Sequence, residues 1–97
     1  MLKIEWAEKA KEQYHNTLQF WINHNKSNEY SLKIVDEVEK KTTHIQNFPK
    51  SGIPVNYKNV FRVNFLKYFT MIYEIQDSII YIIAFWDGRR NPDEIEL

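Results

Sequence analysis

The stretch from residue 60 to residue 92 constrains the fold most, because it holds three consecutive segments rich in aromatic and β-branched residues. Such segments are typical of β-strands, and they predict strands at about 60–65, 68–75 and 79–86. The last segment is apolar on both faces, as expected of a strand that is central in its sheet or covered on both sides. The end of the chain therefore predicts three neighbouring strands of one sheet.

One charged residue, Arg62, interrupts the first of these strands. Because side chains alternate along a strand, Arg62 shares one face with Val60 and Asn64, whereas Phe61 and Phe65 lie on the other face. A charge in such a strand faces solvent, pairs with an acid or binds a ligand. We predict that helices cover the apolar face and that Arg62 points out from a partly open face.

The N-terminal half begins with a short strand that runs into a helix. Leu2, Ile4 and Trp6 alternate with charged residues, which is the pattern of a half-buried strand. Apolar residues then recur at helical spacing over about 7–24, although Ala7 is a poor cap for this helix.

A second helix is predicted between Ser27, a candidate cap, and Pro49, which ends it. Its apolar stripe is interrupted at Lys41 and Thr42. Because only a short turn joins the two helices, we expect an antiparallel helical hairpin. Residues 49–59 are predicted to form a loop.

Together these elements predict an α+β fold in the order β-α-α-β-β-β. The helical hairpin is expected to pack on one face of a mainly antiparallel sheet. A chain of 97 residues supports one core, so we expect a single domain over residues 1–97.

The composition excludes several kinds of site. The chain has no cysteine, which rules out disulfides, thiolate nucleophiles and cysteine-based zinc sites. The N-terminal residues lack the apolar segment of a signal peptide, and the longest apolar run, Ile79–Trp86, is too short to span a bilayer. We therefore expect a cytoplasmic protein with no membrane partner, no metal and no cofactor.

The positive and negative charges cancel in number but are unevenly distributed along the chain. The net charge is zero, which gives no global attraction to nucleic acid. Between Glu39 and Glu74, however, there is no acidic residue, and the basic residues there are Lys40, Lys41, Lys50, Lys58, Arg62 and Lys67. This basic segment is either a solvated face or a surface for phosphate or for an acidic partner.

Several short motifs occur in an order typical of one known family. They are Ile4-Glu5-Trp6 running into Ala7-Glu8-Lys9-Ala10, Phe48-Pro49 followed by Gly52, Phe61-Arg62-Val63, Tyr68 through Tyr73-Glu74-Ile75, and Arg89-Arg90-Asn91-Pro92. Taken with the order of the elements, these motifs resemble the RelE/ParE toxin superfamily of bacterial type II toxin–antitoxin systems. The resemblance covers nearly the whole chain.

The resemblance implies a small cytosolic toxin, linked to plasmid stabilisation and growth inhibition, that an antitoxin holds inactive. RelE-like members are ribosome-dependent endoribonucleases that cut messenger RNA in the A site. ParE-like members share the fold but poison DNA gyrase and lack the nuclease residues.

The same resemblance points to a set of cations as an anion-binding or target-binding site. Arg62 matches an arginine of the superfamily and has the geometry to hold a phosphate bidentately, unless it forms a structural ion pair. Arg89 and Arg90 match the basic exit of the last strand, where they either extend the anion site or pair with acids of the tail. Lys50 and Lys58 lie in the loop where family nucleases carry lysines, or are simply solvated.

The nuclease interpretation is weakened by the choice of general acid and base, which RNA cleavage needs. Several family nucleases carry a histidine near the end of the last strand, where this chain has Trp86-Asp87. The three histidines, His15, His24 and His44, fall on the helices, away from the predicted open face. Arg62, Asp87, Arg89 and Arg90 stay as candidates for catalysis.

The preferred interpretation is therefore a ParE-like toxin that is not an enzyme. A metal-independent, ribosome-dependent nuclease is the alternative, followed by an inactive or repurposed member. A non-toxic binding module is the alternative from a different class.

Surplus aromatic residues predict where the antitoxin binds. Such partners usually place an extended or helical segment in an apolar groove. We expect a groove at the helical hairpin and the sheet edge, anchored by Phe20, Trp21, Tyr30, Tyr57 and Trp86. Plain surface exposure of these residues is the alternative, and homodimerisation through the same patch is a further expectation.

Overall fold

The computed structural model describes residues 2–89 of the chain. The elements in order are β1 (Lys3–Trp6), α1 (Glu8–Asn25), α2 (Glu29–Asn47), β2 (Ile53–Pro54), β3 (Val60–Phe65), β4 (Phe69–Gln76) and β5 (Ile79–Asp87). The five strands form one sheet in the order β1-β5-β4-β3-β2. Strand β1 runs parallel to β5, and the other neighbours are antiparallel. The predicted α+β fold is confirmed, with one additional strand.

The helix ends lie close to their predicted positions. Helix α1 starts after Ala7, which makes no side-chain cap, and it ends at Asn25, followed by Lys26 in a left-handed conformation. The cap position of α2 is Asn28, one residue later than predicted. The Ser27 hydroxyl instead accepts a hydrogen bond from the Glu29 backbone N–H at 3.2 Å. A side chain just outside the helix therefore satisfies a donor of the first turn.

The helical hairpin packs on one face of the sheet, as predicted. The Ser31 hydroxyl joins the two helices by donating a hydrogen bond of 2.7 Å to the Leu18 carbonyl. The main core beneath the hairpin consists of Ala10, Ile34, Val38, Ile45, Phe61, Phe65, Phe69, Met71, Tyr73, Ile80, Ile82 and Phe85. Burying each large apolar side chain contributes roughly 1.5–3 kcal/mol, so this cluster dominates the stability of the fold.

The opposite face of the sheet is only partly apolar. A small second cluster consists of Val60, Ile72 and Ala84, with Val55 and Ile83 packed against it. Arg62 is exposed on this face, which confirms the prediction made from the strand alternation.

Strand β5 lies between β1 and β4, so its predicted central place is confirmed. Its pairing with β4 shifts between Ile72 and Tyr73, because Ile72 pairs with Ala84 whereas Tyr73 pairs with Ile82. Ile83 is therefore an extra residue, as in a β-bulge. Beyond it, the Asp87 side chain turns toward the helices.

The prediction did not include strand β2, because it assigned residues 49–59 to a loop. It is only two residues long, and Ile53 and Pro54 pair with Arg62 and Phe61 at the edge of the sheet. A proline is tolerated there because an edge strand needs no donor on its outer side.

A close backbone approach at Gly52 positions this strand. A Cβ atom on Gly52 would lie 2.8 Å from the Tyr73 hydroxyl oxygen and 2.9 Å from the Phe61 Cβ atom. The buried Tyr73 hydroxyl donates to the Pro49 carbonyl at 2.7 Å and accepts from the Gly52 N–H at 3.1 Å. Residues 49–52 are therefore fixed to the middle of β4.

Within residues 2–89, neither helix is long and apolar enough to cross a membrane.

Candidate functional site

The free edge of β3 carries a small cavity whose lining includes several basic residues. Lys41 and His44 from α2 line it together with Arg62 from β3, and its volume is about 280 Å³. The remaining lining residues are Ile45, Ser51, Gly52, Ile53, Val63 and Asn64, so no acidic side chain of residues 2–89 lines it. The name β3-edge cavity is used for this site below.

The β3-edge cavity exists because β2 covers only part of β3. The register pairs β2 with Phe61 and Arg62 but with no residue beyond them. The edge at Val63 and Asn64 has no partner strand among the described residues. Lys41 reaches the cavity because it occupies the position where the apolar stripe of α2 is interrupted.

The charges in this cavity are not neutralised within the described part of the chain. Arg62 and Lys41 form no hydrogen bond or ion pair there. By contrast, the neighbouring Lys40 pairs with Asp36 at 3.0 Å, and this hydrogen bond raises the pKa of Lys40. A cation that is exposed and forms no ion pair among residues 2–89, as Arg62 is, is suited to binding an anionic group.

A larger apolar cavity adjoins the β3-edge cavity. It has a volume of about 810 Å³, and Leu2, Phe48, Pro49 and Ile75 supply its apolar lining. His44 and Ser51 line both cavities. Phe48 is 60% exposed, so part of this apolar lining is open to solvent.

The two loop lysines predicted as anion ligands lie apart from Arg62. Lys50 lines the apolar cavity rather than the β3-edge cavity. Lys58 is exposed in the loop before β3 and lines neither of them.

Asp87, the candidate catalytic carboxylate, is buried and held by several donors. Its Oδ2 atom accepts from the Trp21 indole N–H at 2.8 Å, and its Oδ1 atom accepts from the Arg89 backbone N–H at 2.9 Å. The Arg89 Nε atom lies 3.7 Å from the same Oδ1 atom. These contacts tie the end of β5 to α1, which gives the carboxylate a structural task.

Arg89 sits in a cage of aromatic rings. Its guanidinium carbon lies 4.3 Å from the Trp21 ring centre, 4.5 Å from that of Tyr68 and 5.1 Å from that of Tyr30. It also donates a hydrogen bond to the Tyr30 hydroxyl. Cation–π contacts of this kind stabilise the charged guanidinium at this position. We call Trp21, Tyr30, Tyr68, Asp87 and Arg89 the arginine cage.

The structure thus separates two groups of candidate residues. Arg62 projects from the open face of the sheet, whereas Asp87 and Arg89 contact Trp21 on the helical face. Arg62 is not brought together with Asp87 or Arg89. Arg90 lies outside the described residues.

All three histidines lie on the helices, as expected. His44, in the last turn of α2, also lines the cavity whose lining includes Arg62, and this the sequence does not show. The missed residues, Lys41 and His44, did leave one signal, since Lys41 breaks an otherwise apolar stripe.

The residues predicted to anchor the antitoxin lie in separate parts of the structure. Phe20 packs edge-on against Trp21, which in turn packs edge-on against Tyr30 in the arginine cage. Tyr57, which is 62% exposed, borders a hollow with Val60, Glu74 and Ile83 on the other face. Trp86 pairs with Thr70 near the end of β5.

Comparison with known proteins shows which family the chain resembles. The sequence profile of the family described as ParE toxin of type II toxin-antitoxin system, parDE, matches residues 4–92. This chain belongs to the ParE toxin family. The toxin class expected from the sequence motifs is thereby confirmed, and an antitoxin is the partner that goes with it.

Solved structures share the fold of this ParE family member at low sequence identity. A chain of the chromosomal ParDE TA system from P. aeruginosa aligns with a TM-score of 0.73 and 17% identity, covering 90% of this chain and 96% of the other. The conserved hypothetical protein HP0894 from Helicobacter pylori aligns with a TM-score of 0.52 and 12% identity, covering 92% and 97%. No curated protein matches the sequence.

Proposed function

We propose that this chain is the toxin of a type II toxin–antitoxin pair, that it acts in the cytoplasm by inhibiting DNA gyrase, and that a cognate antitoxin neutralises it. The family profile over residues 4–92 carries this proposal, because gyrase inhibition is the activity that a ParE-like sequence implies. Arg62 is the cation we assign to target binding, since it is exposed and unpaired among the described residues.

The contacts of Asp87 support inhibition by binding rather than by cutting. A carboxylate that acts as general base must reach the proton it abstracts. Asp87 is 3% exposed and already accepts hydrogen bonds from Trp21 and Arg89. The position where family nucleases carry a histidine is therefore occupied by a group committed to the fold.

A ribosome-dependent nuclease is the second candidate, and one observation favours it. His44 lines the cavity whose lining also includes Lys41 and Arg62, so one imidazole and two cationic residues border the same cavity. Those are the side-chain types that in-line attack of a 2′-hydroxyl on a phosphate requires.

Expression of the chain tests the toxin assignment first. We expect growth arrest, and we expect relief when the small reading frame next to this gene is expressed with it. Harmless expression without a cognate neighbour would instead support a non-toxic binding module.

Two assays on the same preparation distinguish inhibition of gyrase from cleavage of messenger RNA. We expect loss of gyrase supercoiling activity without translation-dependent cleavage of messenger RNA. Arg62→Ala should reduce the inhibition by about tenfold or more, the scale of one charge-assisted hydrogen bond. Lys40→Ala removes a paired cation nearby and serves as the control. Cleavage that His44→Ala abolishes would establish the nuclease and reject gyrase.

A further inference from the structure

We propose that the outer edge of β1 is the surface through which two copies of this chain form a two-fold dimer. The two β1 strands pair antiparallel, with Ile4 of one copy opposite Ile4 of the other, and this pairing joins the two sheets into one. The dimer is independent of the proposed function, because it follows from the contacts of β1 and not from any target.

The backbone of β1 has one edge without a partner strand. Strand β1 stands first in the sheet order, and among residues 2–89 it pairs with β5 alone. The N–H groups of Lys3 and Ala7 donate hydrogen bonds of 3.1 Å and 2.9 Å to carbonyl groups just before and within β5. Because the backbone groups of successive residues point to opposite edges, those of Glu5 also face β5 and those of Ile4 point away from the sheet. An edge of this kind is a template for pairing with another strand.

The two helices limit how far this edge is free. The Gln46 side chain of α2 donates to the Leu2 carbonyl at 2.9 Å, so the N-terminal end of the edge already has a donor. At the other end, the Ala7 carbonyl accepts from the Lys11 N–H of α1 at 3.0 Å. The open stretch is therefore centred on Ile4, whose N–H and carbonyl can exchange two hydrogen bonds with the same groups of a second copy.

Charge selects the register of this strand pair. Lys3 and Glu5 share one face of β1, where they form an ion pair of 3.1 Å within the chain. When β1 pairs antiparallel about Ile4, Lys3 of each copy lies directly opposite Glu5 of the other. Pairing about Lys3 or about Glu5 would instead bring two lysines or two glutamates face to face. Opposite charges stabilise such a cross-strand pair and like charges destabilise it, so the sequence of β1 complements itself in one register.

The apolar cavity described above favours a second copy as the partner of this edge. In the register about Ile4, Trp6 of the second copy comes opposite Leu2, and both residues pack on the helical face of the sheet. Leu2 lines the apolar cavity together with Phe48, which is open to solvent. Trp6 is half-buried and is held by stacking on Tyr14 at 5.0 Å. A second copy therefore brings an ordered aromatic side chain to an apolar surface that the single chain leaves open.

Dimerisation through β1 leaves the open face of both sheets accessible. Since the two-fold axis of such a pair is perpendicular to the sheet, both open faces point to the same side and both copies present Arg62 there. Strand β3 is the fourth strand from the axis, so strand spacing of about 4.8 Å places the two Arg62 backbones roughly 30–35 Å apart. The use of both cations on one target rests on the proposed function, whereas the dimer does not.

Analytical ultracentrifugation over a range of concentrations tests the dimer. We expect wild type to pass from monomer to dimer as its concentration rises. Lys3→Glu and Glu5→Lys should each raise the dissociation constant at least about tenfold, because each places like charges opposite one another. Lys40→Glu is the matched control, since it breaks a similarly exposed ion pair of 3.0 Å with Asp36 on α2, and it should leave the constant unchanged.

An equimolar mixture of the Lys3→Glu and Glu5→Lys chains tests the register. Each variant lacks the ion pair within its own β1, but the acidic strand of one complements the basic strand of the other. We expect the mixture to associate more tightly than either variant alone, with an affinity close to that of wild type. If the Lys3–Glu5 pair matters only inside one chain, the mixture will be as weak as its components.

Hydrogen exchange followed by NMR locates the contact. The Ile4 amide should be protected in the dimer and should exchange faster on dilution, because its acceptor lies in the second copy. The Lys3 amide donates within the chain, so its protection should not depend on concentration.

Several outcomes would overturn the inference. Wild type that stays monomeric at every concentration would do so, as would a dimer with a freely exchanging Ile4 amide or with an affinity that Lys3→Glu leaves unchanged. A mixture of the two variants that associates no better than its components would reject the register. Circular dichroism spectra that match wild type confirm that each variant is folded.

Growth arrest separates this inference from the proposed function. If wild type is monomeric but still inhibits gyrase, the dimer is wrong and the function stands. If the dimer forms through Ile4 but expression is harmless, the function is wrong and the dimer stands.

Discussion

At the scale of single residues, the same side-chain type has different tasks in different surroundings. Arg62 is exposed and unpaired among the described residues, whereas Arg89 is surrounded by aromatic rings and by a buried carboxylate. An arginine whose guanidinium already stacks on Trp21 and Tyr68 has little freedom to bind a phosphate. We therefore interpret Arg89 mainly as a residue that anchors the end of β5.

Replacing Arg89 tests this interpretation. Arg89→Ala should lower the free energy of unfolding by about 1–3 kcal/mol, because it removes the cation–π contacts and one partner of the buried Asp87. Arg89→Lys should recover part of the loss, since it restores the charge but not the planar stacking. Urea denaturation gives both values. Unchanged stability together with weaker target inhibition would return Arg89 to the anion-binding set.

At the scale of elements, the edge strand β2 decides the shape of the candidate site. Its position depends on Gly52, where the backbone passes directly over Phe61 and the Tyr73 hydroxyl. Where β2 stops, the β3-edge cavity begins.

Gly52→Ala should therefore be costly although it adds a single methyl group. Its Cβ would lie 2.8–2.9 Å from Tyr73 and Phe61, so β2 must shift, at a cost of about 1–3 kcal/mol. Gly88→Ala is the matched control, because among residues 2–89 its Cβ meets only the Tyr68 carbonyl oxygen, at 3.4 Å. Thermal or urea unfolding compares them. Equal stabilities of the two variants would show that the close approach at Gly52 does not constrain the fold.

An element could be predicted from the sequence where the residues that determine it lie close together in the chain. Strands β3 to β5 and both helices follow from periodic patterns within each segment, and the alternation in β3 correctly placed Arg62. Strand β2 has no such pattern, because two residues cannot show a period and their support comes from Tyr73. The arginine cage joins Tyr30 to Arg89, which are 59 positions apart, so local spacing carries no sign of it.

At the scale of the whole molecule, two tyrosines link the stability of the fold to alkaline pH. Tyr14 lies between the hairpin and the sheet, stacked on Trp6 at 5.0 Å and packed on Phe85 at 4.9 Å. Its burial, with a smaller effect of the Glu39 charge, raises its pKa to about 12. Burial also raises the pKa of Tyr73, although hydrogen bonds from Gly52 and Ser51 oppose the change.

The sign of the effect follows from proton binding. Unfolded tyrosines lose their protons near pH 10, whereas folded Tyr14 keeps its proton up to about pH 12. Between these values the unfolded chain binds fewer protons than the folded protein, so the free energy of unfolding falls as pH rises. This contribution is complete below pH 10 and is lost through the window from about 10 to 12.

Tyr14→Phe should make this alkaline loss of stability shallower, because one of the two protons that the fold retains is removed. Urea denaturation of wild type and variant, from neutral pH to about pH 12, measures both slopes, and the values at neutral pH isolate any loss of packing. Tyr73 should still give the variant a residual slope. If the two curves run parallel above pH 10, the Tyr14 proton is not held by the fold, and the packing of this ring between α1 and β5 is looser than its contacts imply.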